Sequence, residues 1–235
     1  MQQTLTPFEL NQRLHNLAKI DIVEITDVIV NGHVEIKKDT TYNCDFIIFK
    51  NVNFEGNFLI ENINLGKGIS FQNCSFKDFF LLKGTKAEGY LNRQDDTFYS
   101  LSFESCEIPR FILRDNFLER GIEISKDSKI NGLDVQSLEI SNTGIKIEDS
   151  LIEKRFSLTQ VVSINGPIYI SNAKINCRLK IENLYVDSIS FNGVEIKKDT
   201  LIWSGKCNNG ITFNDGIYND DVKLTAVHVN GNLTV

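Results

Sequence analysis

The feature that most constrains this chain is a triplet, apolar–any–apolar, that returns about every 22 residues. It reads Ile47-Ile48-Phe49, Ile69-Ser70-Phe71, Leu101-Ser102-Phe103, Ile122-Glu123-Ile124, Ile145-Lys146-Ile147, Ile168-Tyr169-Ile170, Ile189-Ser190-Phe191 and Ile211-Thr212-Phe213. The third members lie 22, 32, 21, 23, 23, 21 and 22 residues apart. Three alternating residues make a short strand with two side chains on one face. A period of this length marks a stacked array of repeats. One coil cannot bury its own inner residues, but coils stacked at roughly 4.8 Å enclose a continuous core. The expectation is therefore an all-β, parallel β-helix of roughly eight to nine coils.

Each period divides further. After Ile170 come Ala173-Lys174-Ile175, Leu179-Lys180-Ile181 and Leu184-Tyr185-Val186. Polar or glycine residues follow the main triplet at Asn51, Asn73, Asp149, Asn172, Gly193 and Asp215. These types tolerate left-handed backbone, so they read as corners. The string Val-Glu-Ile-Lys-Lys-Asp-Thr occurs twice, at Val34–Thr40 and Val194–Thr200. Residues 1–27 differ from the rest. Thr6-Pro7-Phe8-Glu9 is a capping box with proline at the first helical position. Phe8, Leu10, Leu14 and Leu17 follow, giving a short helix that caps the first coil before a lead-in strand. The solenoid then occupies residues 28–235, with an insertion at about 83–100 that accounts for the one long period.

Cys44-Asp45-Phe46, Val52-Asn53-Phe54, Cys74-Ser75-Phe76 and Ala173-Lys174-Ile175 resemble the sides of the pentapeptide-repeat family. The resemblance implies a right-handed, four-sided β-helix. It also implies non-enzymatic binding modules, often homodimeric, some of which mimic DNA and occupy a topoisomerase. Most coils here run 21–23 residues, where strict pentapeptides give 20. A three-sided β-helix, as in carbohydrate-active and phage-spike proteins, stays open as the alternative.

Function is less legible. The chain carries 25 basic and 31 acidic residues, distributed evenly between its halves, and no basic patch to neutralise phosphates is expected. Direct nucleic-acid binding is not expected. The start, Met1-Gln2-Gln3-Thr4-Leu5, lacks a signal-peptide pattern, and no apolar stretch reaches membrane-spanning length. Five cysteines without a CxxC motif suit a reducing, cytoplasmic setting. Cys74 and Cys106 share one small slot of adjacent coils, where packing explains them better than a disulfide.

The acidic pairs Asp95-Asp96 and Asp220-Asp221 lack the basic and histidine company that a polysaccharide-cleaving site needs. His15, His33 and His228 are far apart, with no ligand spacing around them. No catalytic residue, metal or cofactor is expected. What does draw attention is the outward position of one side, where Leu59, Leu81 and Ile112 replace the usual polar residue. The insertion, with Tyr90, Arg93, Asp95 and Asp96, is expected to emerge beside this strip. Together they form a candidate surface for a protein partner. At the C-terminal end Val227, Val229, Leu233 and Val235 read as an open coil suited to pairing with a second copy. The sequence reading is thus a protein-binding or scaffolding solenoid. The alternatives are a topoisomerase-directed DNA mimic and a carbohydrate-active β-helix enzyme.

Overall fold

The computed structural model describes residues 2–15, 20–37, 44–91 and 97–235. It is a parallel β-solenoid of about nine turns, spaced about 22 residues apart. Four pairing ladders run its length. In one turn they are represented by Leu151↔Lys174, Phe156↔Leu179, Val162↔Tyr185 and Ile168↔Ile189, so each coil has four sides. We number the sides one to four in that order.

The main triplet forms the fourth side and is in register throughout. Phe49 pairs with Phe71, Phe71 with Phe103, Phe103 with Ile124, Ile124 with Ile147, Ile147 with Ile170, Ile170 with Phe191, and Phe191 with Phe213. All eight are buried. Alternation at period two puts the middle residue outside, and hydrogen bonds along the stacking axis satisfy the backbone.

Two ladders of left-handed residues turn the chain. Between the fourth and first sides stand Asp27, Asn51, Asn73, Ser105, Asp127, Asp149, Asn172, Gly193 and Asp215, with φ from 47° to 62°. All six corners expected from sequence are among them. Asn and Asp suit this role because their short side chains tolerate the left-handed region and bond locally. Here they also bond from coil to coil: Asn73 Nδ2 donates to Asn51 Oδ1 at 2.7 Å, and Asn51 Nδ2 to Asp27 Oδ1 at 2.9 Å. The residue after this corner is small and buried, as at Val52, Cys74, Cys106, Ser128, Ser150, Ala173 and Val194. A second corner ladder, between the second and third sides, runs Asn62, Gly84, Asp115, Ser137, Gln160, Asn183, Ser204 and Ala226. No residue type dominates there, since Asn, Asp, Ser, Gly, Gln and Ala all occur, which is why the sequence hides it.

The N-terminal helix spans Pro7–His15. The capping box forms as expected: Thr6 N donates to Glu9 Oε2 at 2.7 Å, and Glu9 N to Thr6 Oγ1 at 3.2 Å. Leu10 and Leu14, four residues apart, are fully buried against the first coil, whereas Phe8 is exposed. Two residues before Leu10 is about 200° around a helix, so Phe8 could not share that face. Leu17 lies outside the described residues. Gln3–Leu5 pairs with Val28–Val30, placing a strand under the first side. Ile20–Thr26 pairs with Cys44–Lys50 and begins the fourth side.

The long period needs a correction. Lys83–Ala87 is not looped out, because Gly84 turns the corner at φ 59° and Lys86-Ala87 pair with Phe117-Leu118 on the third side. The extra residues leave after that side, as an antiparallel ribbon of Tyr90-Leu91 against Thr97-Phe98. Ser100 closes its base: the hydroxyl donates to Ala87 O at 3.1 Å and accepts from Arg120 N at 3.0 Å.

Candidate functional site

The sequence-derived apolar strip is real in register and modest in exposure. Leu59 pairs with Leu81 and Leu81 with Ile112, all on the outside of the second side. Leu59 and Leu81 are half-buried, and Ile112 is only 8% exposed. The ribbon does not emerge beside them, since the whole third side intervenes between Leu82 and its point of departure. Arg93, Asp95 and Asp96 lie outside the described residues, as does the side chain of Tyr90. The sequence reading therefore joined two features that the coil geometry separates.

The remaining candidates resolve into local structure. Asp221 N donates to Asp220 Oδ1, and Lys223 Nζ lies 2.9 Å from Asp221 Oδ2, so this acidic pair closes a surface turn. His33 Nδ1 accepts from Asn57 N at 3.0 Å, and His228 meets Asn230 at 2.7 Å. Among the described residues no group of three His, Cys, Asp or Glu could hold a metal ion. Cys74 and Cys106 are free, buried thiols that donate to carbonyls of Phe49 and Phe71, both at 3.4 Å. Burial, followed by the neighbouring Cys74 thiol, pushes the Cys106 thiol well above its ordinary range. A thiol held protonated in this way is a packing residue, because the nucleophile would be the thiolate.

Two surface features were not visible in the sequence. The first is aromatic. On the third side, Val162 pairs with Tyr185 and Tyr185 with Lys206, all facing outward. Trp203 stands on the neighbouring coil just across the Asn183/Ser204 corner, paired with Glu182. Val162 is 37% exposed, Tyr185 41% and Trp203 52%. The Lys206 ammonium lies 5.4 Å from the Tyr185 ring centroid. Beside them runs a cleft of about 550 Å³ that includes Phe117, Glu139, Gln160, Val162 and Asn183. Its wall is fixed by the buried Asn116, which donates to Leu82 O at 2.9 Å and accepts from Thr85 N at 3.0 Å.

The second feature is a cluster of cations on the second side, at Arg114, Lys154, Arg155, Arg178 and Lys180, around a cleft of about 480 Å³. These residues are as much as 66 positions apart in the chain. Stacking at a 22-residue period gathers them, which a linear count of charge cannot reveal.

At the C-terminal coil the inward ladders continue through Val222, Leu224, Val227, Val229 and Leu233. Val227 and Val229 are half-buried and pack against the core, while Leu233 is 53% exposed and Val235 is exposed too. Among the described residues, no helix is long and apolar enough to cross a membrane. No model of a known family matches the chain, and neither a curated protein nor a solved structure does.

Proposed function

We propose that this solenoid is a non-catalytic module that binds protein partners and acts as a scaffold. The observation that carries the reading is the outward cluster of Trp203, Tyr185 and Val162 on neighbouring coils. Tyrosine and tryptophan dominate interface energetics because they bury a large area at little entropic cost. They sit here on stacked strands, so the backbone beneath them is already ordered before a partner arrives. Leu59 and Leu81 add a smaller apolar area on the second side. The resemblance to pentapeptide repeats supports the same non-enzymatic class.

Trp203 is the one tryptophan in the chain, so its fluorescence reports on this surface alone. Burial by a partner should shift its emission to shorter wavelength. A partner captured by cross-linking and then purified should bind a Trp203→Ser/Tyr185→Ser variant at least tenfold more weakly, roughly the loss of one hot-spot residue. Equal binding by wild type and variant refutes the assignment of the surface.

The same reading includes a homodimer. The half-buried Val227 and Val229 and the exposed Leu233 would be covered if two copies met there about a two-fold axis. Sedimentation of wild type against Val229→Lys/Leu233→Lys tests this. A wild type that remains monomeric at high micromolar concentration rules it out.

A further inference from the structure

We propose that the cleft on the second side is a binding site for an acidic oligosaccharide, a short sugar chain bearing carboxylate or sulfate groups. The site is distinct from the aromatic surface, and its failure leaves the protein-binding reading untouched.

The charge around the cleft runs against that of the molecule. The chain has a formal net charge of −6. The cleft is lined by five cations, Arg114, Lys154, Arg155, Arg178 and Lys180, and two carboxylates, Asp134 and Glu182, with a third carboxylate, Asp199, paired to Arg178. The coil registers place these residues in order along the solenoid axis. Arg114 pairs with Gln136 and Gln136 with Thr159, whose coil also holds Lys154 and Arg155; Thr159 pairs with Glu182, whose coil holds Arg178 and Lys180. The cations thus span three inter-coil steps, roughly 14 Å at the usual strand spacing. An elongated ligand lying along the axis would meet them in succession.

Three of the cations are already oriented. Arg155 lies 3.2 Å from Asp134, Arg178 lies 2.6 Å from Asp199, and Lys180 lies 2.5 Å from Glu182. Arg155 and Arg178 remain about 60% exposed, at 60% and 62% for their side chains, so the guanidinium edges not used in these pairs stay open. Among the described residues Arg114 and Lys154 form no ion pair, and both are exposed. A guanidinium fork matches a carboxylate or sulfate with two parallel hydrogen bonds.

The rest of the lining selects the ligand class. Ser157, Thr159 and Gln136 supply neutral donors and acceptors between the charges. Asp134 and Glu182 accept hydrogen bonds, which the hydroxyls of a sugar can donate. The aromatic lining residue, Phe156, is buried in the core and offers no face on which a nucleobase could stack. A cleft of about 480 Å³ falls in the usual range for small-ligand sites, ~300–1,000 Å³.

The test is calorimetric titration of the full chain with three oligosaccharides of equal length: a polyuronate, a sulfated chain and a neutral one. A single-stranded DNA oligonucleotide serves as a fourth probe. Binding of the uronate, the sulfated chain or both is expected, weakening steeply with added salt, and which of them binds identifies the anionic group. The variant Arg114→Ala/Lys154→Ala removes two exposed side chains that make no ion pair, and should reduce that affinity at least tenfold without changing the melting temperature. Arg155→Gln gives a second reading from a residue whose partner, Asp134, stays in place. The proposal is overturned if neither acidic sugar binds below millimolar concentration, if the neutral sugar binds equally well, or if the variants bind unchanged. Tighter binding of the DNA overturns the sugar assignment.

Discussion

The two parts of the core are filled by different chemistry on one backbone plan. Between Phe46 and Phe111 the inner positions hold stacked rings. Phe49, Phe71 and Phe103 lie parallel at 5.2 and 4.9 Å, with Phe54 over Phe76 at 4.9 Å and Phe58 over Phe80 at 5.7 Å. Between neighbouring stacks the rings meet edge to face, as Phe71 does with Phe58 at 5.5 Å. From Ile124 to Ile170 the same positions of the fourth side hold isoleucine, and the second side carries Leu133, Phe156 and Leu179. Fourth-side pairing continues across the transition, although the corner there takes two left-handed residues, Lys126 and Asp127, and the register shifts between Ile130 and Gly132. The backbone plan is therefore set by the corners and the period-two alternation, and the filling must satisfy volume within each coil and its neighbours. The comparison predicts that both parts resist charge equally and resist changes of shape differently.

The largest effect should come from charge. Ile147→Asp places a carboxylate at a fully buried position with no cation inside the coil. It should cost upwards of about 4 kcal/mol and unfold several coils, visible as a collapsed melting temperature and lost far-ultraviolet signal. Phe71→Ala should approach that loss, at about 3–5 kcal/mol, because the ring contributes both burial and stacking. If Ile147→Asp melts like the wild type, the fourth-side register is wrong.

Shape changes sharpen the contrast. Phe71→Ile leaves a void between the Phe49 and Phe103 rings, which are held apart by the stack itself. The reciprocal Ile147→Phe forces a ring between Ile124 and Ile170, where overpacking costs about 1–3 kcal/mol. Combining Phe71→Ile with Phe103→Ile should cost less than the sum of the two, because they share one stack. Urea unfolding of the single and double variants measures this coupling, and strict additivity would show that the rings pack independently.

These regions also show what the sequence made legible and why. The fourth-side triplet and its corners are readable because each slot draws mostly on two residue types, Phe or Ile inside and Asn or Asp at the turn. The second corner ladder is not, because Gly84, Gln160, Ser204 and Ala226 share only a backbone angle. The insertion departs one side later than the sequence suggests, since Gly84 looks like a loop residue whether it turns a coil or leaves one. Candidate sites fared worse. Arg114, Arg155 and Arg178 become neighbours only when the coils are stacked. Tyr185 and Trp203 read as ordinary strand residues until the stacked coils fix which face stays uncovered.

A smaller effect is expected where the two fillings meet a polar side chain. The second-side slot that holds Phe58, Phe80 and Phe111 in the aromatic part holds Thr200 near the C-terminal end, paired with Leu179 and Val222. Thr200 is fully buried, and its hydroxyl has no hydrogen-bond partner. Such a group keeps its desolvation cost, about 1–3 kcal/mol. Thr200→Val keeps the branched shape and removes that cost, so it should raise stability by about 1 kcal/mol in urea unfolding. A destabilised variant would mean that the hydroxyl does find a partner in solution.

The smallest expected effect lies on the outer face of the fourth side. Alongside the aromatic core the middle residues of this face are neutral, and Ser102 Oγ donates to Ser70 Oγ at 2.8 Å. Alongside the isoleucine core it is ionic: Lys146 Nζ lies 3.2 Å from Glu123 Oε1 and 2.8 Å from Glu148 Oε2. Hydrogen bonds and attraction from these carboxylates outweigh burial, which by itself opposes the charge, and hold the ammonium above its ordinary value of 10.5. The Lys146 hydrogen bond in turn holds the Glu148 carboxyl below 4.5. A lowered carboxyl stabilises the fold above its unfolded value and loses that contribution as pH falls through the folded one. A raised ammonium stabilises below 10.5 and loses its contribution as pH rises through its folded value. The ion triad should therefore act fully between about pH 4.5 and 10.5. The groups are partly solvated, so Lys146→Met should cost only about 0.5–1 kcal/mol at pH 7. That difference should shrink at acid pH, below the lowered Glu148 value, where protonation removes that carboxylate's charge. Urea midpoints at the two pH values separate the causes: an equal gap at both would assign the loss to the lysine stem packing on the outer face, and the charge would then contribute nothing to holding these coils together.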